Sequence, residues 1–205
     1  MSPKVIWRHA MNQMRTVWLM SAGRFSSPYE VQTRNPSLKY SFIAILLSYL
    51  LFSLYDYVAY PLDVFNGYVT DGVSRRIYVF AYFVSYVLSI VLNYLVLFLL
   101  ANPLGYAKRF WHGLIAYNWW TVMVVLAILP AFLMINLLEG NDAFHSPLIA
   151  LFMVVFILIL WRTINLLRHS LKVSLGKAIL LTVLGLVVQI ATLFAVGNAV
   201  GIKII

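Results

Sequence analysis

No cysteine occurs in these 205 residues, and only 10% of them are charged. The first absence excludes disulfides, thiolate metal sites and cysteine nucleophiles. The second excludes an ordinary water-facing surface, because a soluble domain keeps about a quarter of its residues charged. Acids are scarcer still, six against fifteen lysines and arginines. Histidine is confined to His9, His112, His145 and His169, with no HExxH or related spacing, so no zinc motif is present. Walker and dinucleotide glycine patterns are missing too, and no serine, histidine and acid assemble on one membrane face. These gaps point to a protein that is not an enzyme and has no cofactor or bound metal.

What fills the chain instead is hydrocarbon. Hydrophobic residues make up 63% of it, and the mean hydropathy is +0.90. An all-α integral membrane protein follows, because a bilayer admits only helices or closed barrels, and helical crossings need apolar runs of about 20 residues. Five such runs are expected as spans, at about 38–60, 77–101, 110–138, 147–167 and 176–200. Pro130 inside the third should kink or tilt it. The organisation expected is a cytoplasmic amphipathic helix and linker over 1–37, then a five-helix transmembrane domain over 38–205. The first span serves as an uncleaved insertion signal, since a basic and polar region precedes it.

The net charge of +9 suggests nucleic acid only in a soluble protein. Here the basic residues sort onto alternate loops. Twelve fall on the side of the N-terminus and the second and fourth connections, against three on the other side. That asymmetry predicts a cytoplasmic N-terminus and an external C-terminus, as in a bacterial inner membrane. The third connection carries Glu139, Asp142 and His145 but reads as an outer turn, because Gly-Asn-Asp is turn chemistry and Ser146-Pro147 opens the next helix.

The segment "PKVIWRHAMNQMRTVWLM" has helical periodicity. Trp7, Met11, Met14 and Trp18 share one face, with Lys4, Arg8, Asn12 and Arg15 on another. A basic amphipathic helix of this kind suits a membrane surface, or else a protein partner. Trp7, Trp18, Trp111, Trp119 and Trp120 are expected as interfacial anchors, since aromatic rings gather at the headgroup level. Arg8, Arg15, Lys108, Arg109, Arg168 and Lys172 are expected to meet lipid headgroups or a partner.

Polar residues recur at helical spacing inside three spans: Tyr49, Ser53, Asp56 and Tyr60; Tyr78, Tyr82, Ser85, Ser89 and Asn93; Thr182, Gly185, Gln189 and Thr192. Such stripes should face inward, either as interhelical glue or around a polar pocket. The residues that would form a pocket are Asp56, Tyr82, Asn93, Asn118 and Gln189. Asp56 is the only acid within an expected span, although it lies near the outer end. Gly197 and Gly201 form a single GxxxG step, which permits close packing with another helix or a second copy.

Two stretches, "FWHGLIAYNWW" and "LWRTINLLRHSLKVSLGKAILLTVLGL" over 160–186, resemble the bacterial branch of the YIP-one domain family. The resemblance covers about residues 25–200. It implies a cytoplasmic N-terminus, five spans, an "AYNWW" opening to the third, and a basic loop entering the last span through Gly176, Lys177 and Ala178. Eukaryotic members act in vesicle trafficking and membrane shaping. The family brings no catalytic residues. This chain has an amphipathic helix where relatives have a long acidic or proline-rich region, so a GTPase-binding role is not carried over. The function expected is that of a membrane scaffold, accessory subunit or membrane-organising factor, partnered by lipids and by a protein or a second copy. The alternative is a small transporter or lipid-handling protein built on the polar pocket.

Overall fold

The computed structural model describes residues 3–22, 38–59, 75–137 and 142–199. Among them the chain forms α1 (Pro3–Ser21), α2 (Leu38–Ala59), α3 (Arg75–Ala101), a 3-10 turn (Ala107–Arg109), α4 (Phe110–Leu137), α5 (Asp142–Leu171) and α6 (Leu175–Ala199), with no strand. Four stretches are long and apolar enough to cross a bilayer: Val79–Leu99, Ala107–Pro130, Ile149–Leu171 and Leu175–Ala199. The chain is therefore a multi-pass integral membrane protein. The apolar part of α2, Tyr40–Leu54, is shorter, so among the described residues length and composition give four candidate crossings where the apolar runs suggest five.

α5 departs from its expected bounds at both ends. It begins at Asp142 and takes Pro147 inside the helix, and it continues through Arg168 to Leu171. Pro147 lies in the second turn, so the helix forgoes the one bond its N–H would make four residues back. Arg168 and His169 occupy the last turn, where cations complement the helix dipole. Residues 168–171 thus continue the helix beyond the expected end at 167. Pro130 likewise sits inside α4 without ending it.

The connections at one end of the bundle are tight. After α3, Tyr106 N–H bonds Ala101 O at 2.8 Å, and Gly105 takes φ 80°, a left-handed C-terminal turn that glycine enters without steric cost. Burial pushes the Tyr106 hydroxyl up to about 12. It therefore keeps its proton and donates it to Leu97 O at 2.6 Å, tying the turn back onto α3. Between α5 and α6, Val173 N–H reaches Arg168 O at 3.0 Å, with Lys172 left-handed at φ 55°. Lys177 Nζ crosses to Leu104 O at 2.8 Å and joins the two turns. The ends of α3 and α5 and the starts of α2, α4 and α6 all meet at this end, together with Lys108, Arg109, Arg168, Lys172 and Lys177.

Two apolar clusters hold the helices. One sits at the basic end and joins α3, α4, α5 and α6 through Leu97, Tyr106, Phe110, Leu171 and Leu181. The other packs α1, α2 and α5 onto α4 through Val17, Met20, Ala44, Ile115, Trp119 and Leu166. α4 is the central helix. Its tightest approach is at Gly113, where a Cβ would lie 2.2 Å from Leu171 Cδ2. Leu171 is itself buried, so its side chain would have to shift within the core. Gly113→Ala should therefore cost about 1–3 kcal/mol as overpacking, read as a lower thermal midpoint in detergent. Adding Leu171→Ala should recover part of the loss. An unchanged midpoint would contradict this packing.

Candidate intramembrane binding site

Hydrogen bonding decides where polar side chains go in this bundle. Ser and Thr mostly bond the carbonyl three or four residues back: Ser41 to Leu38 O, Ser89 to Tyr86 O, Thr121 to Tyr117 O and Thr182 to Ala178 O. These hydroxyls spend their protons on their own helix and keep their lone pairs. Larger polar groups reach between helices. Tyr94 of α3 donates to Asn118 Oδ1 of α4, and Asn118 Nδ2 donates to Ser41 Oγ of α2 at 3.0 Å. Asn118 is 1% exposed. This triad is a dry seam linking three helices.

A second polar region is open. A cavity of about 220 Å³ lies between α3, α4, α5 and α6. The basic-end cluster floors it at Leu97, Leu167 and Leu181. The cavity continues up α4 past Tyr117, Trp120, Thr121 and Val124 to Ile128. Asn93, Thr163, Thr182 and Gln189 contribute polar groups, and no charged residue lines the cavity. It exists because α3 pairs with α6 while α4 pairs with α2 and α5, and α4 and α6 barely touch above the floor. Gly185 is needed on this wall, since a Cβ there would meet Asn93 Oδ1 at 3.0 Å. The volume could hold roughly seven waters.

Of the five residues expected to form one pocket, the four whose side chains are described separate into three places. Asn93 and Gln189 line the cavity. Asn118 lies in the seam with Tyr94 and Ser41. Tyr82 stacks on Tyr49 and Phe52, well along α2 and α3. The Asp56 side chain falls outside the described residues, as do those of Glu139, Asp142 and His145. Tyr117, Thr121 and Thr163 belong to the cavity but were not among the expected site residues. Tyr117 and Thr121 are four residues apart on α4, a spacing too common to single them out, and Thr163 of α5 belongs to no polar stripe.

The tryptophans also divide. Trp7, Trp18 and Trp111 are exposed, Trp7 at 66%. Trp119 and Trp120 are not interfacial anchors, being only 2% and 3% exposed. α1 covers Trp119 with Val17 and Met20, and Trp120 Nε1 donates to Thr163 Oγ1 at 2.8 Å on the cavity wall. Arg162, beside Thr163, points the other way. Its guanidinium lies 4.1 Å from the centroid of the Trp18 ring, a cation–π contact that fastens α1 to α5. Arg8, Arg15, Lys108, Arg168 and Lys172 are exposed, and Arg109 is half-buried.

No protein-family model, curated protein or solved structure matches the chain.

The seam and the cavity predict different mutational costs. Asn118→Ala leaves the Tyr94 hydroxyl buried without its acceptor and should cost about 1–2 kcal/mol. Gln189→Leu, at the exposed rim, should change stability by no more than about 0.5 kcal/mol. Thermal unfolding in detergent compares the two, and equal losses would contradict the distinction.

Proposed function

We propose that the chain is a five-span protein of a bacterial cytoplasmic membrane that handles a lipid-like molecule in its neutral internal cavity, without catalysing a reaction. One observation carries this reading: a cavity larger than a few waters, uncharged, mostly apolar, and walled by four helices with polar groups on each. A packed scaffold has no need of such a space, and leaving it unfilled forfeits packing energy.

The fifth crossing is α2. Its 22 residues span about 33 Å at the helical rise, enough for the hydrocarbon core. Ser41, Ala44 and Ser48 are buried at helical spacing, while Phe42, Leu46, Leu50 and Leu54 are exposed, the pattern of a helix with lipid on one side. The bond from Asn118 to Ser41 joins α2 and α4 near the starts of both, which supports a parallel pair. Basic side chains collected at one end support a cytoplasmic N-terminus and an external C-terminus. The resemblance to YIP-one domain proteins is proposed on the same topology and adds no ligand.

α1 would rest on the cytoplasmic membrane surface while docked on the bundle. It has three faces. Val17 and Met20 pack inward; Trp7, Met11 and Trp18 are exposed; and exposed Lys4, Arg8 and Arg15 lie alongside them. An apolar strip beside a cationic strip fits the boundary between acyl chains and anionic headgroups. This exposed face supports the second reading, a membrane-organising scaffold, in which α1 would engage a partner instead.

Native mass spectrometry of the full chain released from mild detergent tests the cavity reading. Wild type should retain about one lipid-sized adduct per chain. Val124→Trp, which fills the cavity, should lose it while keeping its thermal midpoint within a few degrees. Equal adducts in both proteins, or none in wild type, would overturn the reading. A reporter active only in the cytoplasm should be silent when fused to the C-terminus, and activity there would overturn the five-span topology.

A further inference from the structure

The cavity's own hydrogen-bonding groups narrow the molecule it takes, on the reading that it holds a lipid at all. No lining residue among the described ones carries a charge. A carboxylate, phosphate or ammonium would therefore be buried without a counterion, at a cost of many kcal/mol. That leaves uncharged molecules.

The uncharged polar groups are not equivalent. Asn93 Nδ2 is committed to Ser89 O at 2.9 Å, so its Oδ1 is the group left facing Gly185 and the cavity. Thr121, Thr163 and Thr182 have each given their proton to a backbone carbonyl. Gln189 Nε2 donates to Tyr117 OH at 3.3 Å, which leaves Gln189 Oε1 as an acceptor. The wall thus offers the oxygens of both amides as acceptors and, beside the second N–H of each amide, the Tyr117 hydroxyl as a donor whose proton goes to no acceptor among the described residues. A ligand group that matches must donate to an amide oxygen and accept from a phenol. A hydroxyl does both. An ester or ketone only accepts, and a hydrocarbon does neither.

The route in is indicated by Gln189. It is exposed, yet it lies midway along α6 (Leu175–Ala199), at the depth of hydrocarbon. An exposed amide at that depth is costly unless it serves a polar path. Its one cross-helix partner is Tyr117, on the cavity wall. The rim therefore leads from the lipid phase directly to the donor.

We propose that the cavity is a binding site for a neutral lipid with a free hydroxyl, a long-chain alcohol or an acylglycerol, entering from the bilayer past Gln189. The hydroxyl sits between Tyr117 OH and the amide oxygens of Asn93 and Gln189, and the chain runs along the apolar wall towards Ile128.

Trp120 on the wall provides the readout. Full-length protein in phosphatidylcholine vesicles is titrated with bromododecanol, bromododecane or bromododecanoate, and bromine quenching of tryptophan is followed. The saturable part of the quenching is assigned by its loss in Trp120→Phe. The alcohol should saturate at a concentration about fivefold lower than the alkane, the advantage of roughly one net hydrogen bond. Tyr117→Phe should bring the two together, and the carboxylate should give no saturable part. Equal saturation by alcohol and alkane in wild type would overturn the hydroxyl assignment and leave the lipid cavity standing. Saturation by the carboxylate as strong as by the alcohol would overturn the requirement for neutrality. No saturable quenching by any probe would overturn both the site and the cavity reading beneath it.

Discussion

Hydrocarbon cannot hydrogen-bond, and most of this structure follows from that constraint. Most polar groups in the spans find a partner in the chain; the indole N–H of Trp119 and the hydroxyl of Ser53 are buried without one among the described residues. Serines and threonines solve the problem locally, on the preceding turn of their own helix. Asn118 cannot, because its amide has more capacity than one turn can satisfy, so it joins α4 to α3 and α2. Trp120 cannot either, and its indole fixes α4 to Thr163 of α5. These and the Gln189–Tyr117 bond tie α4 to each of α2, α3, α5 and α6.

The second determinant is where the helices are pinned. Tyr106, Phe110, Leu171 and Leu181 close the basic end, and the two tight turns are linked there by Lys177. Away from that joint, α3 with α6 and α4 with its partners are free to part, and the cavity lies in the gap. A floor at one end and an open polar wall above it are one arrangement, both produced by short connections at the same end of the bundle. α1 adds weight on the far side of α4: it covers Trp119 and is held by Trp18 on Arg162. Arg162 and Thr163 are adjacent, so the fastening of α1 and the cavity wall share one turn of α5.

Much of the helical layout was legible in the sequence, because apolar runs of bilayer length have few other uses. The runs opening near Ile77, Phe110 and Gly176 became α3, α4 and α6 with small shifts at their ends. Asn93 and Gln189 stood on periodic polar stripes; both line the cavity, Asn93 buried and Gln189 exposed at its rim. Three things were hidden. Trp119 and Trp120 looked like a belt because a sequence does not show that α1 folds back over α4. The inner face of α1 mixes Gln13, Thr16, Val17, Met20 and Ser21, all buried, and that mixture does not read as an apolar stripe. The basic residues near 168 looked like a loop, although long cationic side chains on a helix end reach the interface by themselves. Each miss concerns how helices pack against one another, which periodicity within one helix cannot report.

The central claim is that α4 presents one face to a space and the opposite face to packed helices. Because the chain has no cysteine, single cysteines along α4 can test it directly with a small membrane-permeant thiol reagent. Cysteines replacing Thr121, Val124 and Ile128, on the cavity wall, should react. Those replacing Ala116 and Val122, buried against α1 and α2, should stay protected until the protein is unfolded. Protection or reactivity that ignored the face of α4 would contradict the account.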